Sequence, residues 1–341
     1  MWRPGIGGLD VGPQVVWRPE EDARPLTARK GVEMRLATVD AGGGPIAVVL
    51  MQNGKLLDLG SAAASAGPSA HLIAGGSMQT IVAGGSGAID QIRSLLARAD
   101  GGAFADAQHD ARSVRFLAPL PRPEKNIFCV GRNYAEHIAE GARAQKTTIN
   151  VTEVPVYFTK PRTAVVGHEA AVPLFPHIST QIDYEVELAV VIGTAGRDIP
   201  KDAAMAHIFG YTIINDVTAR DVQRRHGGQY FKGKGLDGSC PMGPWIVTAD
   251  EMENPQATGL RTYVNGQIRQ DGNTASMIFD IPTLIASLSE GLTLEPGDVL
   301  ATGTPSGVGY AMTPPQFLKD GDEVTCEIDG IGRLTNTVRA A

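Results

Sequence analysis

Two glutamates, Glu185 and Glu187, alternate with apolar residues in the run Asp183-Tyr-Glu-Val-Glu-Leu-Ala-Val-Val-Ile-Gly193. Residues i and i+2 of a strand face the same way, so the spacing predicts two carboxylates on one face. The opposite face, Tyr184, Val186, Leu188, Val190 and Ile192, is wholly apolar and belongs against a core. Like charges side by side on a buried strand are costly unless a cation neutralises them. Paired hard oxygen donors favour Mg2+, Mn2+ or Ca2+ over zinc. A metalloenzyme is the resulting expectation.

Asp216 is the natural third ligand, because it closes the apolar stretch Tyr211–Asn215 and would sit at a strand end. The competing role for it is the N-cap of a helix over Val217–Arg225. His137 and Glu140 stand i, i+3, which on a helix lets the carboxylate orient the imidazole. Such a dyad can deprotonate a water near neutral pH; a solvated helix face is the plainer alternative. Lys232 and Lys234 flank Gly233, where a lysine can meet a carboxylate or an enolate. Arg220 and Gln223, one turn apart, can read substrate oxygens. The loop Thr302-Gly-Thr-Pro-Ser-Gly-Val-Gly309 lacks both phosphate-loop and dinucleotide spacing, so it predicts no nucleotide site. The Thr304 hydroxyl and the loop amides suit a carboxylate instead.

Positioning elements follow from periodicity. Met34–Val39, Ile46–Met51 and Lys55–Leu59 read as strands, with Asn53-Gly54 as a hairpin turn. Ala88–Ala97 has helical spacing, and Val114–Leu120 reads as a strand before a proline-stiffened connector. Farther on, Leu260–Val264 and Gln267–Arg269 flank Asn265-Gly266 as a second hairpin, and Val299–Thr302, Glu323–Ile328 and Arg333–Val338 read as strands. Short helices are expected at Asp202–Ile208, Val217–Arg225 and Pro282–Ser289. The fold class is α+β: a mixed β-barrel or β-roll with peripheral helices over 121–341, behind a smaller α+β domain over 34–120. Residues 1–33 carry no periodicity and are expected to be a disordered extension.

Composition narrows the function. A net charge of -7 over 341 residues argues against tracking nucleic acid or coating an anionic membrane. No stretch approaches the roughly 20 apolar residues of a membrane helix. Cys129, Cys240 and Cys326 match neither a zinc signature nor a disulfide framework, so a reducing cytoplasm is expected.

In order along the chain, Gly131-Arg-Asn-Tyr-Ala-Glu-His-Ile-Ala-Glu140, Asp183-Tyr-Glu-Val-Glu187, Asn215-Asp-Val-Thr-Ala-Arg-Asp-Val-Gln223, Lys232-Gly-Lys-Gly-Leu-Asp-Gly-Ser-Cys-Pro241, Arg269-Gln-Asp-Gly-Asn-Thr274 and Thr302–Gly309 resemble the fumarylacetoacetate hydrolase family, notably its acylpyruvate-hydrolase-like branch. The resemblance runs from about Lys125 to the C-terminus. It implies that Glu185, Glu187 and Asp216 hold one Mg2+ or Mn2+. It further implies that His137 and Glu140 are a water-activating dyad on a short lid helix and that Lys234 is the active-site lysine. Arg220, Gln223, Thr274 and Thr304 would lie near a small oxo-acid substrate, in a protein that is usually a homodimer. The implied reaction is C–C hydrolysis of a 2,4-dioxo acid through an enolate. Isomerisation of an unsaturated dioxo acid and decarboxylation of an oxaloacetate-like acid are the alternatives. Gly235, where relatives carry Ser, and His168 depart from the pattern; the Pro155–Pro161 segment, including Lys160, is expected to border the site.

Overall fold

The computed structural model describes residues 34–148 and 151–341, so the extension expected over 1–33 lies outside the described residues. A long sheet runs in the order Gln108–Asp110, Lys55–Asp58, Pro45–Leu50, Arg35–Asp40, Cys240–Thr248, Ile208–Asn215, Val186–Ile192, Val299–Ala301, Ile127–Gly131, Val156–Lys160. A second sheet orders Gln267–Asn273, Gly259–Val264, Glu323–Ile328, Gly332–Ala340, Val172–Leu174. The fold is mixed α+β, but the end strands of these paths do not pair with each other, so neither sheet closes into the barrel the strand count suggested.

Three layers result. Helices Leu59–Ala66, Met78–Ala83 and Gly85–Asp100 pack one face of the long sheet, meeting Leu36, Val49, Ala189, Val191 and Ile246. The second sheet and helix Ile281–Ser289 cover the other face, meeting Leu188, Val190, Trp245, Leu260, Ile328 and Leu334. Val186–Ile192 is therefore buried on both faces, which explains its unbroken apolar character beyond Glu187. Helix starts follow local chemistry: the Asp58 side chain accepts from Ser61 N, and that of Asp280 accepts from Thr283 N with Pro282 in the first turn.

Several expected elements change shape. Arg35 pairs with Val247, so the strands Arg35–Asp40, Pro45–Leu50 and Lys55–Asp58 continue the long sheet. Val114–Leu120 shortens to Arg115–Phe116, since Pro119 cannot donate to a ladder. The predicted helix Val217–Arg225 begins only at Arg220, because Thr218–Ala219 first pair with Ile182–Asp183; β-branched Val217 and Thr218 favour that extended start. Asp202–Ile208 contains only a single tight turn over Ala204–His207. The Ala- and Ser-rich helix Leu59–Ala66 and the short Tyr230–Lys234 lack the amphipathic contrast that periodicity needs.

Candidate active site

Glu187 lies within the strand Val186–Ile192, whereas Glu185 sits in the break just before it. That break is stitched down: Glu185 N donates to Asn215 Oδ1 at 3.0 Å, and Asp216 N donates to Glu185 O at 2.8 Å. Asp216 thus sits beside both glutamates, and the helix downstream has no side-chain cap, which removes the capping role for Asp216. Oxygens of Glu185, Glu187 and Asp216 lie within 4.8 Å of one another, all buried.

Lysines and an arginine grip this cluster. Lys234 Nζ donates to Glu185 Oε2 at 2.7 Å, Asp216 Oδ2 at 2.6 Å and Thr218 Oγ1 at 2.9 Å. Lys160 Nζ lies 2.7 Å from Asp216 Oδ1, an ion pair outside hydrogen-bond geometry, and donates to the carbonyls of Val217 and Lys234. Arg220 donates from Nε to Asp183 Oδ2 at 2.8 Å and from Nη2 to Glu185 Oε1 at 2.6 Å. Burial would raise the Glu185 carboxyl, but Lys234 and then Arg220 outweigh it and hold it well below the usual range. Lys234 is held up in turn: Asp216 and Glu185 outweigh burial and keep it protonated.

Glu187 is the exception. Among the described residues no lysine or arginine pairs with it; its Oε2 accepts from Gly303 N at 2.8 Å. Burial first, then the charges of Asp216 and Glu185, push its carboxyl well above the ordinary value. A buried carboxylate without a cation, beside two others converging on one point, fits a divalent ion held by hard oxygens. The residues present therefore fit Mg2+ or Mn2+, with Glu185, Glu187 and Asp216 as its holders.

Above this floor stands helix Ala135–Gln145. His137 Nδ1 lies 2.9 Å from Glu140 Oε1, and both side chains are nearly covered, at 13% and 11% exposure, so the pair is not a solvated face. The helix is tied to one loop: Glu140 Oε2 accepts from Gly307 N at 2.9 Å, and Glu136 Oε2 accepts from Ser306 Oγ at 3.3 Å. The same loop supplies Gly303 N to Glu187 and Gly309 N to Asp183 Oδ1, at 2.8 and 2.7 Å. Helix and floor enclose a cavity of about 140 Å3, lined by His137, Glu185, Glu187, Arg220, Gln223, Lys234 and Thr304 among others.

Nine of the ten residues read from the sequence gather at or beside this cavity. Thr274 does not line it: its hydroxyl accepts from Thr258 N at 2.8 Å and is buried in a turn. Arg220 reaches the cavity but spends two of its nitrogens on carboxylates, and its guanidinium lies 4.4 Å over the Tyr310 ring. Sequence reasoning passed over Asp183, Tyr310 and Gln270. Gln270 Nε2 donates to Thr304 Oγ1 at 2.8 Å while its Oε1 accepts from Val186 N at 3.0 Å, joining the loop to the glutamate strand. Asp183 lies in the very run that flagged the glutamates, and its place at the start of that run was the available signal.

The geometry is an acid-lined site that fits a divalent ion, roofed by a helix that carries a histidine. The chain belongs to the fumarylacetoacetate hydrolase family of enzymes, because residues 126–339 match the model of the fumarylacetoacetate (FAA) hydrolase C-terminal domain. It is 50% identical over 226 residues to the oxaloacetate tautomerase YisK of Bacillus subtilis (strain 168), covering 66% of this chain and 73% of that protein. Among solved structures, fumarylacetoacetate hydrolase from psychrophilic Exiguobacterium antarcticum superposes with a TM-score of 0.71 at 38% identity, covering 90% of this chain and 100% of that one. Maleylpyruvate hydrolase from Sphingobium sp. SYK-6, in complex with manganese(II) ion and pyruvate, superposes with a TM-score of 0.68 at 29% identity over 90% and 100% of the two chains.

Proposed function

We propose that the protein interconverts the keto and enol forms of a small 2-oxo acid of oxaloacetate type. The observation that carries this reading is the His137–Glu140 pair, placed on the cavity whose floor is the acidic triad. A divalent ion on the triad would supply Lewis acidity and a template for the oxo-acid oxygens. Glu140 occupies His137 Nδ1, which leaves Nε2 as the proton-accepting nitrogen on the cavity side. The proton at the carbon beside the oxo group passes to Nε2, the C–H electron pair becomes the C=C bond and the C=O π pair moves onto the oxygen. That enolate oxygen then takes one proton from solvent as His137 returns its own to solvent, which gives the enol. Lys234, kept cationic by Asp216 and Glu185, stabilises the charge that grows on the oxo oxygen. Return of the proton from His137 to the carbon runs the reaction backwards. The cavity of about 140 Å3 suits a short acid. The 50% identity to a tautomerase supports the same choice.

C–C hydrolysis of a 2,4-dioxo acid is the second reading, favoured by the same dyad. His137 would then take its proton from water, and the likeness to a maleylpyruvate hydrolase supports it. The two separate in one set of assays. Fresh enol oxaloacetate should lose its ultraviolet enol absorbance faster with protein than without, with no pyruvate formed. Pyruvate released from a 2,4-dioxo acid would favour hydrolysis, and pyruvate with CO2 from oxaloacetate would favour decarboxylation. Activity that survives a chelator unchanged would end all three.

A further inference from the structure

Each cation of the floor already faces a carboxylate at ion-pair distance: Lys160, Lys234 and Arg220. The rim differs. Arg132 lines the cavity with His137, is exposed, and among the described residues no hydrogen bond or ion pair engages its guanidinium. Arg224, the other arginine of the rim, is already bonded to Gln181.

The backbone at Arg132 adds a second, independent observation. Its φ is 60°, in the left-handed region where any side chain is strained and glycine is not. The strain is fixed in place by the next residue. Asn133 Nδ2 donates to Thr302 O at 2.9 Å and to Phe279 O at 3.0 Å, and its Oδ1 accepts from Phe279 N at 2.8 Å. Arg132 therefore stands on a rigid pedestal at the mouth of the cavity. An unpaired guanidinium held in a disfavoured conformation there is placed to meet an anion.

We propose that Arg132 reads a second carboxylate at the far end of the substrate, so that the site prefers short 2-oxo dicarboxylates to 2-oxo acids with a neutral tail. The inference rests on the cavity being a 2-oxo acid site: the floor takes the oxo-acid end, which directs the opposite end to the rim. A charge-assisted pair of this kind discriminates by about 10- to 100-fold.

The test titrates Mn2+-loaded wild type, Arg132→Leu and Arg132→Gly with oxaloacetate and with 2-oxobutyrate, which lacks the far carboxylate. Wild type should bind oxaloacetate about 10- to 100-fold more tightly, and both variants should lose that preference while holding 2-oxobutyrate as before. Arg132→Gly relieves the backbone and should melt no lower than wild type, which separates loss of the guanidinium from loss of fold. Equal weakening for both ligands, or a preference that survives both substitutions, overturns the proposal. Binding is read apart from turnover, so the two ideas fail separately. A preference that follows Arg132 without any enol conversion removes the reaction and keeps the arginine's role, whereas conversion without the preference does the reverse.

Discussion

The floor and the roof of the cavity are built by opposite means. The floor places buried carboxylates at strand ends and fixes them with two lysines and an arginine, each at most 6% exposed. The roof is one helix held to a glycine-containing loop by Glu140, by Glu136 and by little else polar. Rigid charge suits groups that must not move when an ion or an oxo-acid arrives. A helix attached by a few partly exposed bonds can open and close at small cost.

Substitutions can break or sharpen that contrast. Glu187→Gln strikes the carboxylate with no cation of its own, and its loss of Mn2+ affinity should exceed the roughly 10- to 100-fold typical of supporting residues. Calorimetry with Mn2+ reads this directly, and wild-type affinity in the variant would remove Glu187 from the metal site. His137→Ala, on the roof, should cost about 10^2- to 10^4-fold in turnover and leave Mn2+ binding untouched. If instead metal affinity falls with turnover, roof and floor are not separable. Lys160→Met leaves Asp216 Oδ1 without its facing charge, and a buried pair broken this way costs about 3–5 kcal/mol. Urea unfolding measures it; a change inside error would show that Lys234 alone balances Asp216.

The scaffold under the floor carries a pH signature. His168 is buried with Nε2 in no hydrogen bond and 4.0 Å from Glu169 Oε1, Nδ1 accepts from Thr335 N at 3.1 Å, and burial pushes its pKa down to about 4 from 6.5. The unfolded chain therefore takes up the proton first as pH falls, so stability drops between 6.5 and about 4. The loss reaches roughly 3 kcal/mol at about 1.4 kcal/mol per pKa unit. His168→Gln should flatten that stretch of the stability–pH curve, and an unchanged slope would point to other groups. The smallest effect belongs to the roof: Ser306→Ala removes one exposed contact with Glu136 and should shift stability by no more than about 0.5 kcal/mol. A large effect there would mean the helix is fastened far more firmly than its bonds indicate.

The floor was the more legible half. Glu185 and Glu187 declared themselves because charge in an apolar run has few innocent explanations, and Asp216 followed from its strand end. What hid Gln270 is that it acts across the fold, joining Thr304 to Val186. Lys160 was expected at the border of the site, but its reach to Asp216 from a strand at the far edge of the long sheet is not encoded by local spacing. Thr274 shows the converse, a residue in a family-like motif whose hydroxyl serves a turn. The open sheets likewise escaped a reading of strand periodicity, since alternation sets which face is buried but not whether the edges meet.

Gly303, Gly307 and Gly309 give their amides to Glu187, Glu140 and Asp183, so one short stretch of backbone touches the floor twice and the roof once. Those three bonds are links in a common chassis, and strain entering at one is shared with the others. If binding at the floor and docking of the helix are coupled through this loop, each changes the free energy of the other by the same amount. The loop that lends Thr304 to the cavity would then also join its two halves.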